Sequence, residues 1–220
     1  NITVEAAVTS GGGSGSTTLT LNAENDIEVN AAIGTDDTNH PLGVTLQAGN
    51  DITVSDTIET GGAAFNAVAN NNIDVVATGA VDSGGGDIFI RADDDADGHG
   101  IANGTGVFSI ANGGSVVSGG GDIRIEMQGL NIYGPSLSAT ALDAGAGDVF
   151  IDLSHGGHIA LARRGSIGIH NDYLYLFSDD LSKVSAANLH INQQKKKGSY
   201  KYFSAYNSAD QQNWGIGISD

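Results

Sequence analysis

The 220-residue sequence contains no cysteine, only two prolines, one tryptophan and one methionine. The absence of cysteine excludes disulfide bonds and thiolate metal sites, although it does not fix the cellular compartment. No run of about 18 apolar residues occurs, so no segment is predicted to span a membrane. The 33 glycines do not follow the every-third-residue pattern of collagen, which excludes that class of fibre.

Basic residues are also scarce. Nine Lys and Arg residues stand against 26 Asp and Glu residues, for a formal net charge of -17. Phosphate binding depends on Lys and Arg, so the composition predicts no nucleic-acid partner. A divalent cation suits such a chain better, and the charge favours solubility while opposing side-by-side association.

What the sequence does contain is a degenerate repeat that returns about every 21–26 residues. Its core is a glycine or small-residue run, then Asp or Asn, then two apolar residues separated by one position. Self-similarity at such a period predicts stacked supersecondary units. The default role of a solenoid of this kind is to span distance or to present a surface.

Three strand positions recur in each repeat, and their apolar residues are spaced i, i+2, so that they face one way. The first position holds Leu19/Leu21, Val44/Leu46, Phe65/Ala67, Ile88/Ile90, Ile123/Ile125 and Val149/Ile151. The second holds Ile27/Val29, Ile52/Val54, Ile73/Val75, Phe108/Ile110, Leu130/Ile132 and Ile159/Leu161. The third holds Val8, Ile33, Ile58, Val81, Val116 and either Leu137 or Leu142.

The corners between these strands are rich in Gly, Asn, Asp and Ser, which suit tight turns. The pattern predicts an all-β fold: a three-sided parallel β-helix of about seven coils, followed by a non-repeat C-terminal segment. An antiparallel sandwich also has short strands and turn signals. It does not require the same residue types to recur in three phases, so the β-helix is the favoured interpretation.

Stacked coils place equivalent residues in ladders about 4.8 Å apart. We therefore expect Ile27, Ile52 and Ile73 in one interior column. Asn25, Asn50 and Asn71 fall at one corner and have two interpretations. Their amides hydrogen-bond to one another up the stack, or asparagine simply tolerates the left-handed backbone of the corner.

The chain divides by character into a repeat domain, residues 1–192, and a C-terminal segment, residues 193–220. The segment is basic and aromatic, with Lys195–197, Tyr202 and Trp214 among its residues. It is a cap over the open core, which solenoids need for solubility, or the start of another module. Because the chain opens directly in strand pattern at Ile2, we expect it to be a piece of a longer protein.

The repeats support a resemblance. Residues 49–62 resemble the repeats of filamentous-haemagglutinin-like adhesins, and residues 86–98, 165–169 and 180–186 resemble repeats of giant bacterial surface proteins. This resemblance implies a right-handed parallel β-helix, export, and an extracellular or cell-surface location. The partners it implies are other copies of the chain or neighbouring modules of a larger protein, and a carbohydrate, host or cell surface.

One acidic stretch is a candidate metal site. Asp93, Asp95 and Asp97 alternate and are followed by a glycine and His99, as in the first half of a Ca²⁺ loop, where carboxylates and the next carbonyl converge on a hard cation. The twelfth position, which would need a bidentate glutamate, is Gly104. The alternatives are therefore a partial Ca²⁺ site at Asp93, Asp95, Asp97 and His99, or a solvated acidic loop.

Other candidates for chemistry are weaker. Asp87, Asp122 and Asp148 recur before the first strand, which suggests acid–base catalysis or, more simply, an Asp that hydrogen-bonds within its own turn. His155 and His158 lack any further ligand pattern. No hydrolase elbow or phosphate loop occurs. The sequence therefore predicts no enzyme and no catalytic residue.

The favoured interpretation is a non-catalytic structural or adhesive segment of a bacterial surface or filament protein, stabilised by Ca²⁺ and assembling end to end. The alternative is a carbohydrate-active β-helix that binds or cleaves polysaccharide, which requires a groove with clustered carboxylates and aromatics on one side wall.

Overall fold

The computed structural model describes residues 1–10, 15–35, 39–92, 106–127, 129–133, 141–153, 158–162, 184–185, 189–193, 206–207 and 212–213. Side chains are described up to residue 127 and over residues 141–151. Within these ranges the chain forms short strands joined by turns and bends, and no helix is present.

The strands form three parallel sheets of seven strands each. Sheet 1 contains β1 (Ile2–Val4), β4 (Ile27–Val29), β7 (Ile52–Val54), β10 (Ile73–Val75), β13 (Val107–Ile110), β16 (Gly129–Tyr133) and β19 (His158–Ala162). Sheet 2 contains β2 (Val8–Thr9), β5 (Ile33–Gly34), β8 (Thr57–Glu59), β11 (Ala80–Asp82), β14 (Ser115–Val117), β17 (Leu142–Asp143) and β20 (Val184–Ser185). Sheet 3 contains β3 (Thr17–Ala23), β6 (Leu42–Ala48), β9 (Phe65–Ala69), β12 (Ile88–Ala92), β15 (Ile123–Glu126), β18 (Val149–Leu153) and β21 (Leu189–Gln193).

Consecutive strands belong to sheets 1, 2 and 3 in turn, so three strands make one coil, and coil 1 is β1 to β3. Each strand pairs with the strand three places along the chain. The three-sided parallel β-helix is therefore confirmed. All strands of coils 1 to 5 have described side chains. The right-handedness implied by the resemblance stays a prediction.

The predicted columns are confirmed by the strand register. Ile27 pairs with Ile52, and Ile52 with Ile73, so these three residues form one interior column of sheet 1. In sheet 2, Val116 pairs with Leu142, which selects Leu142 over Leu137. The pairing decides the choice because each residue of a parallel ladder has one partner in the next strand, and β17 begins at Leu142.

The inward side chains fill the space between the sheets. Ile27 and Ile52 are fully buried, and Ile73 is 2% exposed. Where coil 3 introduces the large Phe65 into sheet 3, the next inward position is the small Ala67. Burying each large aliphatic side chain contributes about 1.5–3 kcal/mol, so the continuous core is the main source of stability.

Near the C-terminus, β22 (Tyr206–Asn207) and β23 (Gln212–Asn213) form a small antiparallel pair. This pair is separate from the three parallel sheets. The division of the chain at residues 192 and 193 stays a prediction.

Candidate functional site

A ladder of amide and carboxylate groups lines the corner before sheet 1. The Nδ2 of Asn50 donates to Oδ1 of Asp26 in the preceding coil at 2.6 Å, and Nδ2 of Asn71 donates to Oδ1 of Asp51 at 2.8 Å. The direct contact from Asn71 to the amide oxygen of Asn50 is longer, at 3.5 Å. Of the predicted amide stack of Asn25, Asn50 and Asn71, the structure thus shows only this one long contact. The shorter bonds go to the adjacent carboxylates, since ionised acceptors bind more strongly.

The same acids also bind the backbone of the following coil. Oδ1 of Asp26 accepts the N–H of Asp51 at 3.4 Å, and Oδ1 of Asp51 accepts the N–H of Asn72 at 2.9 Å. The hydrogen bond from Asn50 is the main cause that lowers the pKa of Asp26 below its usual 3.8, and it outweighs the opposing effect of burial. Asp26 therefore stabilises the fold as a carboxylate.

A second ladder runs along the corner before sheet 3. Oδ1 of Asp87 accepts the N–H of Asp122 at 3.0 Å, and Oδ1 of Asp122 accepts the N–H of Asp148 at 2.9 Å. The prediction that these acids bind within their own turn is wrong for Asp87 and Asp122. Equivalent positions lie only one strand spacing apart, about 4.8 Å, so each carboxylate reaches the next coil. The recurrence of these acids has a structural cause.

Glycine is required where the same corner stacks most tightly. A Cβ on Gly121 would lie 2.3 Å from the carbonyl oxygen of Gly86 in the preceding coil, and Gly119 adopts a φ of 67°. Beside them, the fully buried hydroxyl of Ser118 donates to the carbonyl of Gly121. The Gly-Gly-Gly corners thus allow the backbones of adjacent coils to come into contact. The buried serine supplies a hydrogen bond to a carbonyl group of the turn.

The outward face of sheet 3 differs from the outward faces of sheets 1 and 2 among the side chains that the structure describes. Register places Phe89, Arg124 and Phe150 in one outward column, because β15 pairs with both β12 and β18. Both phenylalanines are partly exposed and Arg124 is exposed, whereas Phe65 and Phe108 lie in the core. We call Phe89, Arg91, Arg124, Glu126 and Phe150 the aromatic strip.

The side chains of the aromatic strip hold one another in place. The guanidinium of Arg91 lies 5.2 Å from the ring centre of Phe89, and that of Arg124 lies 5.1 Å from the ring centre of Phe150. Arg91 also forms an ion pair with Glu126 at 2.7 Å from Nη2 to Oε2. Among the described side chains, these two arginines are the only Lys or Arg residues.

A shallow groove of about 350 Å³ continues this face toward coil 1. Gly43 and Ala64 form part of its lining, and the hydroxyls of Thr18 and Thr45 and the amide of Asn66 border it. Asn66 pairs in register with Phe89 of the aromatic strip. The groove and the strip are therefore consecutive parts of one wall.

Among the residues whose side chains are described, the other two walls present no outward aromatic residue. Sheet 1 presents Thr3, Glu28, Thr53, Asp74 and Ser109, and sheet 2 presents Gly34, Glu59, Asp82, Val117 and Asp143. The predictions from sequence missed the aromatic strip, because they followed inward residues only. The signal was present two residues after the recurring Asp, where Phe89, Arg124 and Phe150 share one phase of the repeat.

The predicted metal ligands Asp93, Asp95, Asp97 and His99 lie outside the described residues, and so does His155. His158 begins β19, but its side chain is also outside the described set. In the ranges that the structure describes, no group of three or more His, Asp and Glu side chains is placed to hold a metal ion. The Ca²⁺ site stays a prediction.

The fold and this surface define a class: a three-sided parallel β-solenoid repeat protein with polar ladders at its corners and one distinctive wall. Comparison with protein-family models, with curated proteins and with solved structures gives no match. Over the described residues, no helix is long and apolar enough to cross a membrane.

Proposed function

We propose that this chain is a non-catalytic structural and adhesive segment of a bacterial extracellular surface or filament protein. The observation that carries the proposal is the continuity of the three sheets, each with seven strands in register. Such a stack gives a long side wall without an obligatory cleft, and solenoids use such walls as extended binding surfaces. The resemblance of the repeats to surface adhesins supports the extracellular location.

The interfaces between coils support the structural part of this role. Backbone hydrogen bonds join adjacent coils in all three sheets, as between Ile27 and Asp51, Ser83 and Val117, and Ile88 and Asp122. The corner ladders add side-chain bonds across the same interfaces. In addition, the recurring acids Asp87 and Asp122 are engaged with backbone N–H groups, which supports a structural use of these carboxylates.

Two finer features belong to the same proposal. Asp93, Asp95, Asp97 and His99 bind Ca²⁺, which relieves the repulsion between neighbouring carboxylates. Copies of the chain associate end to end through strand edges, which are templates for pairing. A monodisperse monomer by light scattering at high concentration, with and without Ca²⁺, would contradict the association.

Retention of coated beads under flow tests the adhesive and non-catalytic parts together. The chain is attached to beads, which are passed over glass coated with neutral polysaccharide or with fibrinogen. Beads carrying an unrelated globular protein of similar net charge are the control. We expect retention above the control on at least one surface, with no soluble sugar released. Detachment like the control from both surfaces, or release of sugar, would contradict the proposal.

A further inference from the structure

We propose that the aromatic strip, together with the groove beside it, binds a linear, uncharged polysaccharide that runs along the axis of the solenoid. This inference rests on the proposed adhesive function and names the class of its ligand. It concerns one wall only, the outward face of sheet 3 from coil 1 to coil 6.

The two outward phenylalanines supply platforms for sugar rings. Phe89 and Phe150 lie in the same column two coils apart, which is about 10 Å at the usual strand spacing. This distance is close to the length of two pyranose units in an extended glycan. The C–H face of a pyranose ring is apolar and packs on an aromatic face, which carries negative quadrupole charge.

The platforms are held before any ligand arrives. Each ring has a guanidinium near it, at 5.2 Å for Phe89 and 5.1 Å for Phe150. Arg91 is held in turn by Glu126 through its Nε, at 2.8 Å. Side chains that are already ordered lose less entropy on binding, which raises affinity without any new contact.

Donors and acceptors alternate around the rings. Arg124 is exposed and, among the residues described, has no hydrogen bond or ion pair in addition to its contact with Phe150. Its guanidinium N–H groups therefore face solvent as donors. In the corner just before these strands, Asp87 and Asp122 use Oδ1 for the ladder, which leaves Oδ2 of each as an acceptor. Sugar hydroxyls both donate and accept, so they match this mixture.

The charge of the wall selects against an anionic ligand. The two arginines of these strands are outnumbered by Glu126 and the three acids of the adjoining corner, Asp87, Asp122 and Asp148. The whole chain carries a net charge of -17. A polyanion would meet like charge over most of the wall. An uncharged polymer avoids this repulsion and still uses both the rings and the polar groups.

The same column continues with uncharged polar groups, which argues for an extended ligand. From Phe89 the register leads to Asn66, then Thr45, then Thr20. Beside them lies the groove of about 350 Å³, lined in part by Gly43. From Thr20 to Phe150 the column crosses six coils, about 24 Å, so several sugar units fit end to end.

Affinity electrophoresis in native gels tests the proposal. The probes are hydroxyethylcellulose, galactomannan, xyloglucan and dextran, with polygalacturonate as the anionic comparison. The variants are the double Phe89→Ala/Phe150→Ala and the single Arg124→Gln. Val117→Ala, an outward and half-buried residue of sheet 2, is the matched control, and circular dichroism verifies that each variant keeps its strands.

We expect at least one neutral polysaccharide to retard the chain. The double phenylalanine variant should bind it at least tenfold more weakly, Arg124→Gln several-fold more weakly, and Val117→Ala unchanged. Four outcomes would each overturn the proposal. The chain is retarded by polygalacturonate alone, it binds a basic peptide such as oligolysine in place of any glycan, or it is not retarded at all. The fourth outcome is that the folded double variant binds as well as the wild type. Beads retained on fibrinogen but on no glycan would sustain the adhesive function while rejecting this ligand.

Discussion

Substitution of Gly121 by alanine should open the interface between coils 4 and 5. The new Cβ would lie 2.3 Å from the carbonyl oxygen of Gly86, whereas real Cβ contacts are essentially never under 3.0 Å. The backbone fixes the positions of both the new Cβ and the carbonyl oxygen of Gly86, so rotation of a side chain cannot relieve the clash. The two coils must separate locally by at least about 0.7 Å to bring this distance to 3.0 Å, the lower limit of real Cβ contacts.

The cost follows from the hydrogen bonds that cross this interface. Three backbone bonds lie beside the clash: Ser83 to Val117 at 2.9 Å, Gly85 to Ser118 at 2.6 Å, and Ile88 to Asp122 at 2.8 Å. A separation of about 0.7 Å takes most of them beyond good hydrogen-bond length. At roughly 0.5–1.5 kcal/mol for each bond, we expect Gly121→Ala to lower the free energy of unfolding by about 2–4 kcal/mol.

Gly43→Ala is the matched control for this experiment. Its Cβ would meet only the mobile hydroxyl of Thr18 closely, at 3.1 Å, and its backbone is not in the left-handed region. Such a change should be neutral or stabilise by about 0.4–1 kcal/mol through the unfolded state. Guanidinium unfolding followed by circular dichroism measures both variants, and hydrogen exchange at Ser83, Gly85 and Ile88 locates the effect. Equal stability of the two variants would refute the reasoning.

Three further predictions concern the core, pH and Ca²⁺. Ile73→Ala should destabilise by about 2–5 kcal/mol and Ile73→Val by about 0.5–1.5 kcal/mol, as measured by chemical unfolding; a similar small loss for both would contradict a packed column. The pKa of Asp26 is lowered in the folded chain. The carboxylate therefore contributes to the free energy of unfolding above pH 3.8, and this contribution is lost as the pH falls through the lower pKa of the folded state. The Tm advantage of the wild type over Asp26→Asn should therefore shrink below pH 3.8, and a constant difference would exclude this linkage. Titration calorimetry should show Ca²⁺ binding that Asp95→Ala weakens. Addition of Ca²⁺ should raise the Tm of the wild type only. The absence of binding heat at millimolar Ca²⁺ would reject the site.

The inward half of each strand could be predicted from the sequence. Apolar pairs such as Ile27/Val29 and Ile52/Val54 recur with the same polar residue before them. This recurrence predicts which side chains point inward and which residues pair between neighbouring coils. The register also selected Leu142 where the sequence left two candidates. These features are accessible because a buried column tolerates few residue types.

The contacts between coils were harder to predict. The recurring Asp87 and Asp122 were visible, but their partners are N–H groups one coil away, and a single sequence does not say which neighbour a carboxylate reaches. The aromatic strip was not predicted because the residue types at outward positions vary freely from coil to coil. Its members become a surface only when register sets Phe89 beside Arg124.

The corner ladder has a consequence for how such a chain changes in length. Each coil offers a side-chain oxygen to the next coil and supplies an N–H to the previous one, in a constant direction. Ile52 and Ile73 are equivalent and 21 residues apart. If genetic recombination joined Asp51 directly to Ile73, Asp51 would take the place of Asn72, whose Oδ1 accepts the N–H of Val107 at 3.1 Å. A whole coil can thus be gained or lost while each N–H of this ladder still meets a side-chain oxygen, which makes the coil a natural unit of insertion and deletion.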